Sequence, residues 1–186
     1  MPVRVRLTYK DLESLPEDGK RYELHAGEVF VTAAPRVDHQ RLVHGIGNRL
    51  EEYVVPRNLG TVDYGVDVYF AEDTTYTPDL VFVAAAHDAR ITEKYIRGAP
   101  DLIVEVLSPS AEVRDRGIKL QDYARFGVPE YWVFDGVARA AEVYVLRGTG
   151  YDLLGRFGEN DTLRSEVLPG LEIPLAEVWP EPLPEE

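Results

Sequence analysis

The chain contains no cysteine, which excludes disulfides, thiolate metal sites and thiol nucleophiles. Histidine is scarce, with four in 186 residues, and none stands in the HExxH arrangement of a zinc protease. His39 and His44 are five positions apart, a spacing that does not bring them onto one helix face, and they read as surface or turn residues. No apolar run approaches the roughly 20 residues that span a bilayer. The opening MPVRVRL also lacks the apolar segment of a secretory signal, so a cytoplasmic location with no membrane contact is expected. Positive charge is in deficit as well: the formal net charge is −13, which argues against non-specific attraction to phosphate.

What the chain does have is apolar content, at 45%, enough for one full core. A single domain over 1–178 is expected, followed by an acidic, proline-rich tail over 179–186, WPEPLPEE, that reads as frayed. TYKDLESLP suggests a short helix with Thr8 as N-cap, Asp11 closing a capping box and Pro16 ending it. RYELHAGEVFVT alternates around Ala26-Gly27 and predicts a β-hairpin. Between Val37 and about Tyr53, Leu42, Val43, Ile46 and Leu50 recur at helical spacing.

TVDYGVDVYF and DLVFV read as strands, with AEDTTYTP as the turn between them. ARITEKYIRGAP reads as a loop or helical turn, and DLIVEVL as a central strand, apolar on both faces. A second helix is expected from Val113 to Phe126, with Gly127 just past its end. YWVFD, AEVYVLR and YDLLGRF complete the strands, the last two paired about Gly148-Gly150. The class is mixed α/β (α+β).

Two acids stand where acids are expensive. Asp79 opens DLVFV and Glu105 lies inside DLIVEVL, and burying an ionised carboxylate costs several kcal/mol unless it is paired or binds a metal. If the two strands are neighbours, the carboxylates meet, and either one pKa rises or a divalent cation fills the gap. The alternatives are turn chemistry for Asp79 after Pro78, and a buried arginine partner for Glu105.

Lys119 follows on the second helix. It is one of four lysines among 20 basic residues, and a compact ammonium can do what guanidinium cannot; a surface pair with Asp115 is the plainer reading. Tyr123, one turn on, supports Lys119 or fills the core. Glu23, on the first hairpin, is an auxiliary metal ligand, a partner for Lys119, or an ordinary strand acid.

YELHAGEVF, HQRLV, TPDLVFV, GAPDLIVEVLSPS, KLQDYARFGVPEYWVFD, AEVYVLR and LPGLEIPL together resemble the Uma-two family of restriction-endonuclease-like proteins over nearly the whole chain. The resemblance implies a PD-(D/E)XK core, a mixed sheet flanked by helices, here with extra C-terminal strands. It also implies Asp79 and Glu105 as metal ligands. Leu107 stands where that motif places lysine, and Lys119 would supply the migrated ammonium.

The expected activity is Mg²⁺- or Mn²⁺-dependent endonucleolytic hydrolysis of DNA. In that scheme Asp79, Glu105 and the Val106 carbonyl hold the ion, while Lys119 and Glu23 complete the catalytic group. Arg114, Arg116 and Arg125, with Arg90, Lys94 and Arg97, are candidate phosphate contacts, or simply a solvated charged face. Cutting both strands needs two sites, which suggests a homodimer. The rival readings are a non-catalytic acidic interaction protein that keeps the fold, and a metal-dependent hydrolase of small phosphoesters.

Overall fold

DLIVEVL forms the strand that the rest of the molecule is built around, since a segment apolar on both faces is stable only between two layers. The computed structural model describes residues 6–15, 20–32, 34–108 and 115–183. Strand β1 is Arg21–His25, β2 Glu28–Thr32, β3 Gly60–Tyr64, β4 Val68–Ala71, β5 Thr74–Tyr76, β6 Leu80–Ala84, β7 Ile96–Arg97, β8 Leu102–Val106, β9 Glu130–Asp135, β10 Ala140–Arg147, β11 Gly150–Phe157, β12 Thr162–Arg164 and β13 Glu172–Pro174. Helix α1 is Tyr9–Leu12, α2 Val37–Val54 and α3 Leu120–Phe126. The main sheet has the order β11-β10-β9-β8-β6-β3, the smaller one β2-β1-β5-β4-β7, and β12 pairs with β13. In the main sheet β8 runs parallel to β9 and antiparallel to β6.

Alternation along β8 divides two cores. Leu102, Val104 and Val106 pack with Leu42, Val43, Ile46 and Leu50 of α2. Ile103 packs on the opposite face with Tyr123 of α3, Val133, and Val68 and Tyr76 of the smaller sheet. The main sheet therefore lies between α2 on one side and α3 with the smaller sheet on the other. The register Leu80↔Val104, continued by one residue, sets Asp79 across from Glu105 at one end of the sheet.

Several elements follow the sequence closely. Thr8 donates to Asp11 through both its N–H (2.8 Å) and its hydroxyl (2.7 Å), and Asp11 N–H returns to the Thr8 carbonyl (3.0 Å). The β1–β2 turn uses Ala26 and Gly27, both at positive φ (47° and 80°), the geometry that matches strand twist in a two-residue hairpin. Helix α3 ends on Gly127 at φ 84°, as a C-terminal glycine allows.

Others differ. TVDYGVDVYF is broken at Gly65 (φ 57°), so its halves serve different sheets as β3 and β4. AEDTTYTP supplies β5 as well as a turn, because Thr74, Thr75 and Tyr76 are all buried. ARITEKYIRGAP contributes β7, whose Ile96 is buried beside β4. The second helix opens with a π-helical turn, Asp115–Lys119; Pro16, Val113 and Arg114 lie outside the described residues.

Trp179 corrects the expected boundary of the tail. It is 9% exposed within the core that includes Phe134, with ring centroids 5.9 Å apart, and the next residue's carbonyl accepts Arg139. The indole's apolar area outweighs the acidic, proline-rich composition around it. Trp179→Ala is expected to cost about 3 kcal/mol in denaturant unfolding, whereas a frayed tail would give no change.

Candidate functional site

Glu105 points from β8 toward α3, and its compensating charge is Lys119, 3% exposed. Lys119 Nζ donates to Glu105 Oε1 at 2.7 Å and lies 2.9 Å from Glu23 Oε1. Glu23 reaches it from β1 and also accepts the Thr77 N–H (3.2 Å). The plainer sequence readings, a surface pair for Lys119 and an arginine for Glu105, give way to one ammonium shared between two buried acids. The π-helical turn that ends on Lys119 is a known way of re-aiming a side chain at functional sites. Tyr123 donates to Glu105 Oε1 at 2.9 Å. Burial, then the charge of Glu105, holds its phenol well above the ordinary range, so it remains a proton donor.

The ammonium is further enclosed by Tyr76, whose ring centroid lies 5.5 Å from Nζ. Tyr76 donates to Asp122 (2.6 Å), and His25 Nδ1 lies 2.7 Å from the same oxygen. Burial, then Asp122, raises the Tyr76 phenol as well.

Asp79 sits on the opposite side of Glu105's strand end. Its Oδ2 accepts the Val106 N–H at 2.8 Å, which fixes the carboxylate against β8. His39, read from the sequence as a surface or turn residue, is corrected here: its side chain is 13% exposed. Nε2 lies 3.0 Å from the Val106 carbonyl and 3.2 Å from Asp79 Oδ2. Burial works against the charged imidazole, but Asp79 and the Val106 carbonyl outweigh it and raise the His39 pKa above its ordinary value. The signal was in the sequence: 39, 42, 43 and 46 share one helical stripe, so His39 belongs to the inward face of α2.

Glu23, His39, Asp79, Glu105 and Lys119 all line one cleft of about 370 Å³, with Arg21 at its wall. Four carboxylates (Glu23, Asp38, Asp79 and Glu105) face three cations (Arg21, Arg36 and Lys119) and His39 in that lining, so the acids are nearly balanced in charge. Among the described residues no three His, Cys, Asp or Glu side chains converge tightly enough to hold a metal as they stand, because Glu105 is turned to Lys119 and Tyr123. The donor chemistry nevertheless suits a hard cation. Asp79 Oδ2 and the Val106 carbonyl already converge on a single point, now taken by His39 Nε2, and Glu105 adds a third oxygen donor in the same cleft.

The basic residues expected to meet phosphate are committed elsewhere. Arg116 binds Glu142 (2.5 Å), Lys94 pairs with Glu13 (2.8 Å), Arg125 with Asp122 (3.2 Å), and Arg90 donates to the Ala99 carbonyl (2.6 Å). Arg97 lies over the Tyr95 ring. Arg114 lies outside the described residues.

A mixed sheet between helices, with Asp79 and Glu105 brought to one end of adjacent strands, defines a restriction-endonuclease-like protein. The family model Uma2, described as "Putative restriction endonuclease", matches residues 8–176, and the chain belongs to that family. Among solved structures, the chain is similar to one described as "a putative nuclease belonging to DUF820" from Anabaena variabilis ATCC 29413. The TM-score is 0.78 at 17% identity, over 93% of this chain and 97% of the other, a likeness of fold. No curated protein matches the chain. Among the described residues no helix is long and apolar enough to cross a membrane.

Proposed function

We propose that the chain is a divalent-cation-dependent endonuclease that hydrolyses DNA phosphodiesters in the cytoplasm, working as a homodimer so that two clefts can cut two strands. The observation that carries this reading is the placement of Asp79 and Glu105 in one cleft at the end of the main sheet, with a buried lysine on Glu105. In it, Asp79, Glu105 and the Val106 carbonyl would hold Mg²⁺ or Mn²⁺. When bound, such an ion polarises a phosphodiester oxygen and makes an attacking water more acidic.

The chain's own groups do the rest. The Val106 N–H keeps Asp79 oriented. Lys119, held between Glu23 and Glu105, presents N–H donors where negative charge develops on the phosphate oxygens. Tyr123 fixes the Glu105 carboxylate that holds that ammonium, and the Tyr76 ring covers it. Arg21 and Arg36 line the cleft and, although Arg36 also meets Asp38 at 3.4 Å, they are the arginines placed to contact phosphate there, in place of Arg116.

The net charge of −13 favours a second reading, a non-catalytic acidic interaction protein. A cleavage assay separates the two. Supercoiled plasmid with millimolar Mg²⁺ or Mn²⁺ is expected to be nicked and linearised, and chelation by EDTA is expected to stop it. Persistence of the supercoiled form with either ion supports the interaction protein, and turnover of generic phosphoesters alone supports a small-substrate hydrolase.

A further inference from the structure

His39 lines the cleft, and the proposed reaction leaves it without a task. It is also placed most tellingly, because Nε2 is within hydrogen-bonding reach of two oxygens assigned to the cation, Asp79 Oδ2 at 3.2 Å and the Val106 carbonyl at 3.0 Å. Both are acceptors, so without an ion the nitrogen donates a shared N–H to them and stands where a cation would stand.

The ring cannot simply retire when an ion arrives. His39 lies in the first turn of α2, and that helix is anchored through Leu42, Val43, Ile46, Leu50 and Val54, each at most 3% exposed. The side chain itself is 13% exposed, with little open solvent to swing into.

A second observation bears on the proton. Nδ1 is buried and has no hydrogen-bond partner among the described residues. A purely structural buried histidine is expected to have both nitrogens satisfied, and a second-shell partner on one nitrogen is what normally fixes the tautomer. Here the two acceptors at Nε2 hold the proton on that nitrogen, and no acceptor or donor among the described residues commits Nδ1. The N–H can move from Nε2 to Nδ1 without breaking a protein hydrogen bond at Nδ1, and Nε2 then offers a lone pair toward the two oxygens it now faces.

We infer that His39 Nε2 is a nitrogen ligand of the proposed cation, beside Asp79 Oδ2 and the Val106 carbonyl, and that it biases the site toward Mn²⁺ and later transition ions over Mg²⁺. The inference rests on the cation site proposed above. Imidazole is a good donor for transition ions, while Mg²⁺ prefers carboxylate, carbonyl and water and gains little from nitrogen.

The test uses Mn²⁺ and Mg²⁺ alone, without nucleic acid. Titration calorimetry of the full chain is expected to show tighter binding of Mn²⁺. Pulsed electron paramagnetic resonance of the Mn²⁺ complex is expected to show coupling to one directly bound ¹⁴N. In His39→Gln that coupling is expected to vanish, and the preference for Mn²⁺ over Mg²⁺ to fall by about 10-fold or more. The parent's nitrogen coupling keeps the test meaningful even if the variant folds poorly. Binding that depends on Asp79 but shows no nitrogen coupling, with the ion preference unchanged in His39→Gln, overturns the role of His39 and leaves the cation site standing. Failure of the parent to bind either ion overturns both.

Discussion

Lys119→Met is expected to lower the unfolding free energy by about 3–5 kcal/mol, the usual consequence of removing one partner from a buried ionic group. For a chain of this size that is a fall of about 10 °C in the melting midpoint. The reason is arithmetic of charge. Glu23 and Glu105 are 2% and 4% exposed, and both reach the same Nζ. Without it, two carboxylates in low dielectric lose the counter-charge they share, while the Thr77 N–H still donates to Glu23 and the Tyr123 hydroxyl to Glu105. A sign of the mechanism is rescue: adding Glu23→Gln and Glu105→Gln to Lys119→Met is expected to restore most of the lost stability while leaving cleavage abolished. If the single variant melts like the parent, the ammonium is not the counter-charge described here.

Asp79→Ala is expected to reduce plasmid cleavage by about 100-fold or more, beyond what loss of a merely supporting group brings, and to weaken Mn²⁺ binding in parallel. Stability is expected to fall by only about 1–3 kcal/mol, since the chief structural loss is one charge-assisted hydrogen bond to the Val106 N–H. That contrast between a modest change in fold and a large change in activity separates a ligand from a structural acid. Asp79→Asn sharpens it: the amide oxygen can still accept the Val106 N–H, yet the negative charge that attracts a cation is gone. Retained ion binding and cleavage in Asp79→Asn would move the site elsewhere.

Much of this arrangement was legible in the residues. The two-faced apolarity of DLIVEVL predicted its central place, and the 3.6-residue recurrence of Leu42, Val43, Ile46 and Leu50 predicted α2 and the face it buries. Period-two alternation is what set Glu105 on the same side as Ile103, and thus on the side of Tyr123 and Lys119. The less legible features depend on tertiary context. Gly65 divides one β-rich run between two sheets, a choice made by which partners stand on either side, not by local propensity. Composition at the C-terminus described WPEPLPEE as soluble tail, but a single indole with an apolar slot against Phe134 overrides its acidic neighbours. His39 was misread for a different reason. No second histidine is needed, because one on the buried stripe of α2 is sufficient to reach a backbone carbonyl and a carboxylate contributed by other elements.

A meeting of Asp79 and Glu105 was expected from sequence only on condition that their strands are adjacent; β6 and β8 are adjacent, and both acids line one cleft. What the sequence did not convey is that Glu105 accepts from both Lys119 and Tyr123, so a cation drawn to that carboxylate competes with the ammonium for it.

The central claim is that a divalent cation binds between Asp79 and Glu105. Its most direct test is diffraction from crystals of the full chain soaked in millimolar Mn²⁺, with data collected to reveal anomalous scattering. A peak is expected in the cleft within bonding distance of Asp79 Oδ2 and the Val106 carbonyl, with Glu105 bound directly or through water. A cleft free of anomalous density at saturating Mn²⁺, or a peak that survives unchanged in Asp79→Ala crystals, would contradict it.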